Sequence, residues 1–209
     1  MTRIVLVRHG QTAWNVPERF RGRADVSLDD TGLRQADATS RRIAERWRPV
    51  AIYSSPLSRA VKTAEAIGSR VGLPVGLHQG LADIDYGAWQ GLSPDEVGGR
   101  WPEQLRAWYD APQTVRVPGG ESLDDLRTRC RGVLLDASQG HPGETVVLVA
   151  HTVVNRVILL LALGLPNDRF WRLRQDTCAI NVIEMESGDF TLVLLNDTSH
   201  LETVAPRQA

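Results

Sequence analysis

Three short runs in this chain are apolar at consecutive rather than alternate positions: residues 4–7 (IVLV), 50–53 (VAIY) and 145–150 (TVVLVA). A strand with one solvated face alternates, so a run apolar throughout requires cover on both faces, the condition of a parallel sheet sandwiched between helices. Parallel strands need crossovers long enough to hold a helix, and the first intervening segment supplies one. Between residues 31 and 47, Leu33, Ala36, Ile43, Ala44 and Trp47 fall on one helical face. A second helix follows Ser54-Ser55-Pro56, with Ala60, Ala64, Ile67 and Val71 as its stripe, Ser58 as its expected N-cap and Arg59 in its first turn. The expected fold class is α/β, three α/β/α layers around a mostly parallel sheet.

The middle of the chain departs from this rhythm. Residues 92–120 carry a capped turn, Ser93-Pro94-Asp95-Glu96, with further prolines and glycines, and read as a helical excursion from the sheet. Ser122 then caps a helix bearing Leu123, Leu126, Cys130, Val133 and Leu134 on one face, and a strongly apolar helix over 153–163 ends at Gly164. Runs at 179–186 and 190–195 flank Ser187-Gly188-Asp189, the signal of an antiparallel hairpin at the sheet edge. Across 209 residues no composition break divides the chain, so residues 1–209 are read as one domain with a loose tail.

Composition narrows the partners. A net charge of -1 offers no field for nucleic acid or an anionic membrane, and small molecules are the expected ligands. Cys130 and Cys178 stand far apart in no metal-ligand spacing and read as free thiols, hence a cytoplasmic location. The longest apolar stretch, residues 157–163, is too short to span a bilayer. All but one of the Lys and Arg residues are Arg, Lys62 being the exception, so cations here are planar bidentate forks.

Two of the five histidines, His9 and His151, occupy the same position, directly after an apolar strand: VLVRH and VVLVAH. Ligands of open α/β sheets collect outside the carboxyl ends of the strands, so Arg8, His9 and His151 should meet in one crevice, with Arg59 delivered by the loop after a third strand. Two guanidinium groups converging with two imidazoles match a phosphate. The surrounding cations keep at least one imidazole neutral, a nucleophile, with Gly10 accepting a bond from the other ring nitrogen; a charged His151 would then stabilise the phosphoryl oxygens. Asp83 and Asp85 in LADIDYG are both candidates for the carboxyl that protonates the leaving oxygen. No metal-ligating motif is present, and a crevice crowded with Arg repels divalent cations. Gly98-Gly99 and Gly119-Gly120 read as turns, and Trp89, Trp101, Trp108 and Tyr109 either rim a pocket or pack the excursion onto the sheet.

In order, VRHGQTAWN, SSPLSRAVKTA, DIDYGAWQG, PGGESL and VAHTVVNRV resemble the histidine phosphatase superfamily, also called phosphoglycerate mutase-like, over nearly the whole chain. The resemblance implies a phosphoglycerate mutase-like fold without metal or cofactor. It makes His9 the phosphorylated nucleophile and Arg8, Arg59 and His151 the rest of the pocket, and it selects Asp83 as the acid. Asn15 and Gln11 would be secondary contacts, and Gly22, Tyr86 and Thr152 would complete the substrate-binding set. HTVVNR, FWRLRQDTCAINVIEME and SHLE are most similar to the metal-independent phosphoserine phosphatase branch, in which a C-terminal His, here His200, reaches the substrate. Two positions depart from that branch: its Glu acid is replaced by Asp83 and a His by Tyr86. The expected function is metal-independent hydrolysis of a small phosphorylated metabolite such as phosphoserine. The alternatives are a phosphoglycerate mutase and a non-catalytic binding protein. By likeness a homodimer is expected, pairing through the hairpin over 179–195.

Overall fold

The computed structural model describes residues 1–15, 19–186 and 188–202; Ser187 of the expected turn and the tail from 203 onward lie outside the described residues. Six strands form one sheet in the order β3-β2-β4-β1-β5-β6. These are β1 (Thr2–Arg8), β2 (Ala51–Ser54), β3 (Val75–Leu77), β4 (Thr145–Ala150), β5 (Ile180–Glu186) and β6 (Asp189–Asp197). Strands β1 to β4 are mutually parallel, while β5 pairs antiparallel to both β1 and β6. Strand β3 was not anticipated, since three half-exposed residues carry no run.

The consecutive apolar pattern has its cause in the layers. Val5, Val7, Val147 and Val149 face α1 (Asp30–Arg46) and α2 (Ser58–Val71), meeting Ile43, Ala60, Ala64 and Ile67. Ile4, Leu6, Val146 and Leu148 face the other way, into α5 (Leu123–Gly140) and α6 (Thr152–Ala162). Each buried Leu, Ile or Val side chain stabilises this sandwich by about 1.5–3 kcal/mol. The excursion holds α3 (Pro94–Arg100) and α4 (Pro102–Asp110); α4 inserts Trp108 among Tyr86, Trp89, Phe170 and Trp171. Among the described residues no helix is long and apolar enough to cross a membrane.

Three local expectations are corrected. Leu57, not Ser58, is the N-cap of α2 and offers no side-chain cap; the Ser58 N–H donates instead to Asp25 Oδ1 at 2.8 Å, across the chain. Leu33 is 50% exposed, because α1 turns that position outward. Gly98 and Gly99 lie inside α3, where the Ser93 capping box outweighs their low helix propensity. Where β1 leaves the sheet, a Cβ on Gly10 would meet the Gly32 carbonyl oxygen at 2.6 Å, so only glycine lets the strand exit lie on the first turn of α1.

Candidate active site

Arg8 is paired in register with Ala150 on the parallel neighbours β1 and β4. The next residues, His9 and His151, therefore leave the sheet side by side, with ring centroids 5.1 Å apart and both side chains essentially buried. His9 Nδ1 lies 2.7 Å from the Gly10 carbonyl oxygen. A carbonyl only accepts, so Nδ1 carries the hydrogen and Nε2 the lone pair. Burial, reinforced by Arg59, Arg8 and Arg21, holds His9 far below the usual imidazole range, so the ring is neutral.

His151 is also held neutral, by burial and then by Arg59 and His9. The expectation of a charged His151 is thereby corrected: the crevice already holds buried guanidinium groups, and a further cation is unfavourable there. His151 Nε2 lies 2.7 Å from Ser55 Oγ, and its Nδ1 faces Asp83 Oδ2 at 3.6 Å. A carboxylate opposite Nδ1 favours the hydrogen on that nitrogen, so Ser55 donates into Nε2.

Arg59, in the first turn of α2, is fully buried, and its fork donates to the carbonyls of Ala24 and Gly22, both at 2.7 Å, and to Asp83 at 3.2 Å. Arg8 donates to the Gln175 carbonyl at 2.7 Å, and burial beside Arg21 and Arg156 pulls its pKa down to about 9, leaving it charged at neutral pH. Asp83 is buried at the same point, and desolvation raises its pKa against the opposing pull of Arg59 and Arg21. Asp85 takes a different direction: its Oδ1 accepts from Gly87 N, and its Oδ2 pairs with Arg23 at 3.4 Å, away from the crevice. The segment leading into Asp83 is held by Arg129 of α5, which donates to the carbonyls of Gly80, Ala82 and Asp83 and forks onto Glu121.

Above this floor opens a cavity of about 290 Å³. Arg8, Asn15, Arg21, Asp83, Thr152 and Gln175 line its polar side. Phe20, Tyr86, Trp108, Tyr109, Phe170 and Trp171 form an aromatic wall, so Trp108 and Tyr109 serve both packing and pocket. Arg8 Nε, Arg21 Nε, Arg59 Nε, His151 Nδ1 and Thr152 Oγ1 are buried donors with no hydrogen-bond partner among the described residues. A buried donor without an acceptor costs about 1–3 kcal/mol, and a set of them beside two neutral imidazoles is suited to an oxyanion.

The expected substrate contacts divide. Asn15, Tyr86 and Thr152 line the cavity, Asn15 with its Oδ1 already accepting from Thr12. Gln11 does not; its amide donates to Asp29 Oδ2 at 3.1 Å, bracing the cap of α1. Gly22 acts through its carbonyl on Arg59 and does not line the cavity. His200 is corrected as well: Leu201 packs with Ala38 and Cys178, and His200 Nε2 lies 3.0 Å from Thr39 Oγ1, outside the lining. Sequence reasoning missed Arg21, Arg156, Gln175, Ser55 and Arg129. Ser55 alone carried a signal, as the second residue past the second apolar run and the first past β2. Among the described residues no group of three or more His, Cys, Asp or Glu side chains could hold a metal ion.

A sequence model of the histidine phosphatase superfamily (branch 1) matches residues 4–198. Phosphoserine phosphatase 1 of Hydrogenobacter thermophilus is 35% identical over 201 residues, 96% of this chain and 95% of that protein. The metal-independent phosphoserine phosphatase of Arabidopsis thaliana is 34% identical over 213 residues, covering 98% of this chain and 85% of that one. Among solved structures, Bacillus stearothermophilus YhfR superimposes with a TM-score of 0.92 at 30% identity, over 97% of this chain and 100% of that one.

Proposed function

The chain belongs to branch 1 of the histidine phosphatase superfamily and is a phosphatase, and from that premise we propose that it hydrolyses a small phosphate monoester through a phosphohistidine on His9. The observation that carries this reading is the pair of buried, neutral imidazoles 5.1 Å apart, set among Arg8, Arg59 and Asp83. His9 Nε2 attacks phosphorus, the bond from phosphorus to the alcohol oxygen breaks, and the Asp83 carboxyl proton passes to that oxygen. Water then attacks phosphorus, giving its proton to the Asp83 carboxylate; the P–N bond breaks and inorganic phosphate leaves with His9 restored. Burial suits Asp83 to the first step, because desolvation favours the protonated carboxyl. Arg8, Arg21 and Arg59 supply guanidinium donors to the equatorial oxygens, and neutral His151 adds its Nδ1–H, with Ser55 hydrogen-bonded to its Nε2.

Phosphoserine is the first substrate to try, on the strength of the two relatives named for it. Rapid acid-free quenching of the protein with phosphate-labelled phosphoserine should leave an alkali-stable, acid-labile phosphoryl group, absent from His9→Ala. Equal labelling of His9→Ala would refute the assignment. With 3-phosphoglycerate and a bisphosphate primer, free phosphate should form rather than the isomer.

A further inference from the structure

Arg8 leaves β1 at the cavity floor, but what holds its fork comes from the other end of the chain. Its Nη1 donates to the Gln175 carbonyl at 2.7 Å and its backbone N–H to the Ala179 carbonyl at 3.2 Å, while the Cys178 N–H donates to the His9 carbonyl at 3.2 Å. Residues 175–179 thus lie against the strand exit that carries both groups. They precede β5 and belong to no helix or strand, so the place of the Gln175 carbonyl depends on how its side chain is anchored. Gln175 Nε2 donates to the Arg174 carbonyl and to Asn181 Oδ1, both at 2.8 Å, and its Oε1 accepts from Asn181 Nδ2 at 2.9 Å and from Asn155 Nδ2 at 3.4 Å. Asn181, fully buried on β5, closes the pair: its Nδ2 also donates to the Leu6 carbonyl at 3.1 Å, and its Oδ1 also accepts from the Asn196 N–H at 2.8 Å.

Each amide therefore makes all four hydrogen bonds open to it. The backbone partners fix which atom is which, since the Asn196 N–H only donates and the carbonyls of Leu6 and Arg174 only accept, so neither amide can turn over without losing its bonds. Asn181 sits where the register of β5 on β6 shifts, and Asn196, at a φ of 51°, clasps Asp176 through both ends of its own amide at 2.8 Å. Neighbouring Ile180, Val182 and Ile183 are apolar and buried, and an apolar pair of the same shape at 175 and 181 could be nearly neutral for stability. Stability alone does not call for two amides here.

We propose that Asn181 and Gln175 are positioning residues for phosphoryl transfer: their paired amides fix the Gln175 carbonyl, and through it the direction in which Arg8 presents its remaining donors to the phosphoryl group. The proposal rests on the phosphatase reading above. Neither amide has a hydrogen bond left for the substrate, so the effect of the pair on turnover runs through Arg8.

The test compares the intact wild-type protein with Asn181→Leu, Gln175→Met and the double variant, using phosphoserine and nitrophenyl phosphate as substrates and orthovanadate as a mimic of the phosphoryl group in transfer. Each single variant should lower kcat/KM about 10- to 100-fold, a displacement of about 1 Å being able to cost the larger factor. Vanadate affinity should fall by a similar factor, and both substrates should suffer alike, because Arg8 serves the phosphoryl group and not the alcohol. The double variant should lose no more than the worse single one, since both changes break the same pair. A variant that is only partly folded would lower kcat through its active fraction and keep wild-type KM and vanadate affinity. That pattern, or losses that multiply in the double variant, would overturn the proposal. If Asn181→Leu yields no folded protein, Gln175→Met decides alone, and wild-type kcat/KM and vanadate affinity in it would overturn the proposal. No phosphate release from either substrate by the wild-type protein would instead overturn the phosphatase reading, and this inference with it.

Discussion

Replacing Arg59 by Met keeps an unbranched chain of similar reach and deletes the fork. Two backbone carbonyls, Gly22 and Ala24, then lose charged donors at 2.7 Å, and Asp83 loses one at 3.2 Å. Each lost carbonyl bond costs about 1 kcal/mol or somewhat more, and the buried carboxylate adds a similar amount, so roughly 3 kcal/mol is expected. For a chain of this size that lowers Tm by about 6–12 °C. The sign of the pH dependence follows from Asp83, whose folded-state pKa is raised. Its stabilising contribution is complete below its ordinary value of 3.8 and is lost as pH rises through the raised value. Removing Arg59, which opposes the rise, lifts that value further, so the Tm deficit of Arg59→Met should widen from pH 4 to pH 8. Calorimetric unfolding at both pH values measures this, alongside phosphate release, which should fall by about 10²–10³. A Tm change below about 2 °C, or a deficit that narrows as pH rises, would refute the account of Arg59 as the clamp of this loop.

Asp83→Asn should slow alkyl phosphates by about 10²–10⁴ and nitrophenyl phosphate far less, because nitrophenolate leaves without a proton; equal losses on both would reassign the acid. The same variant should flatten the alkaline limb of the alkyl phosphate pH profile, which arises as Asp83 loses its proton, while the substrate's own ionisation is common to both proteins. Ser55→Ala should cost about 1 kcal/mol of stability and lower kcat about tenfold, with ¹⁵N spectra showing His151 shifted from a single tautomer to a mixture. A wild-type tautomer pattern in that variant would remove Ser55 from its positioning role. Trp108→Ala should destabilise by about 3–5 kcal/mol in urea titrations, since this fully buried ring touches the excursion, the Asp83 loop and the cavity wall at once.

The parallel sheet was legible because burial on both faces demands apolar residues at every position, a pattern visible in the amino-acid order alone. His9, His151, Arg8 and Arg59 were legible for a related reason: polar residues that end such runs are delivered to the carboxyl edge whatever the intervening chain does. The choice between Asp83 and Asp85 was not, since both sit in one loop and differ only in which way Arg59, Arg23 and Gly87 draw their carboxyls. His200 shows the same limit from the other side, because its position depends on Leu201 packing against Ala38 and Cys178.

Local sequence therefore determined the strands, their polar exits and the type of chemistry those exits can perform, because hydrophobic periodicity and side-chain chemistry act over a few residues. Tertiary structure alone decided the protonation of His151, the turning of Asp83 inward and the presence of Arg21 and Arg156 beside the pocket. Those depend on burial and on charges brought together from distant parts of the chain, and no local pattern encodes them.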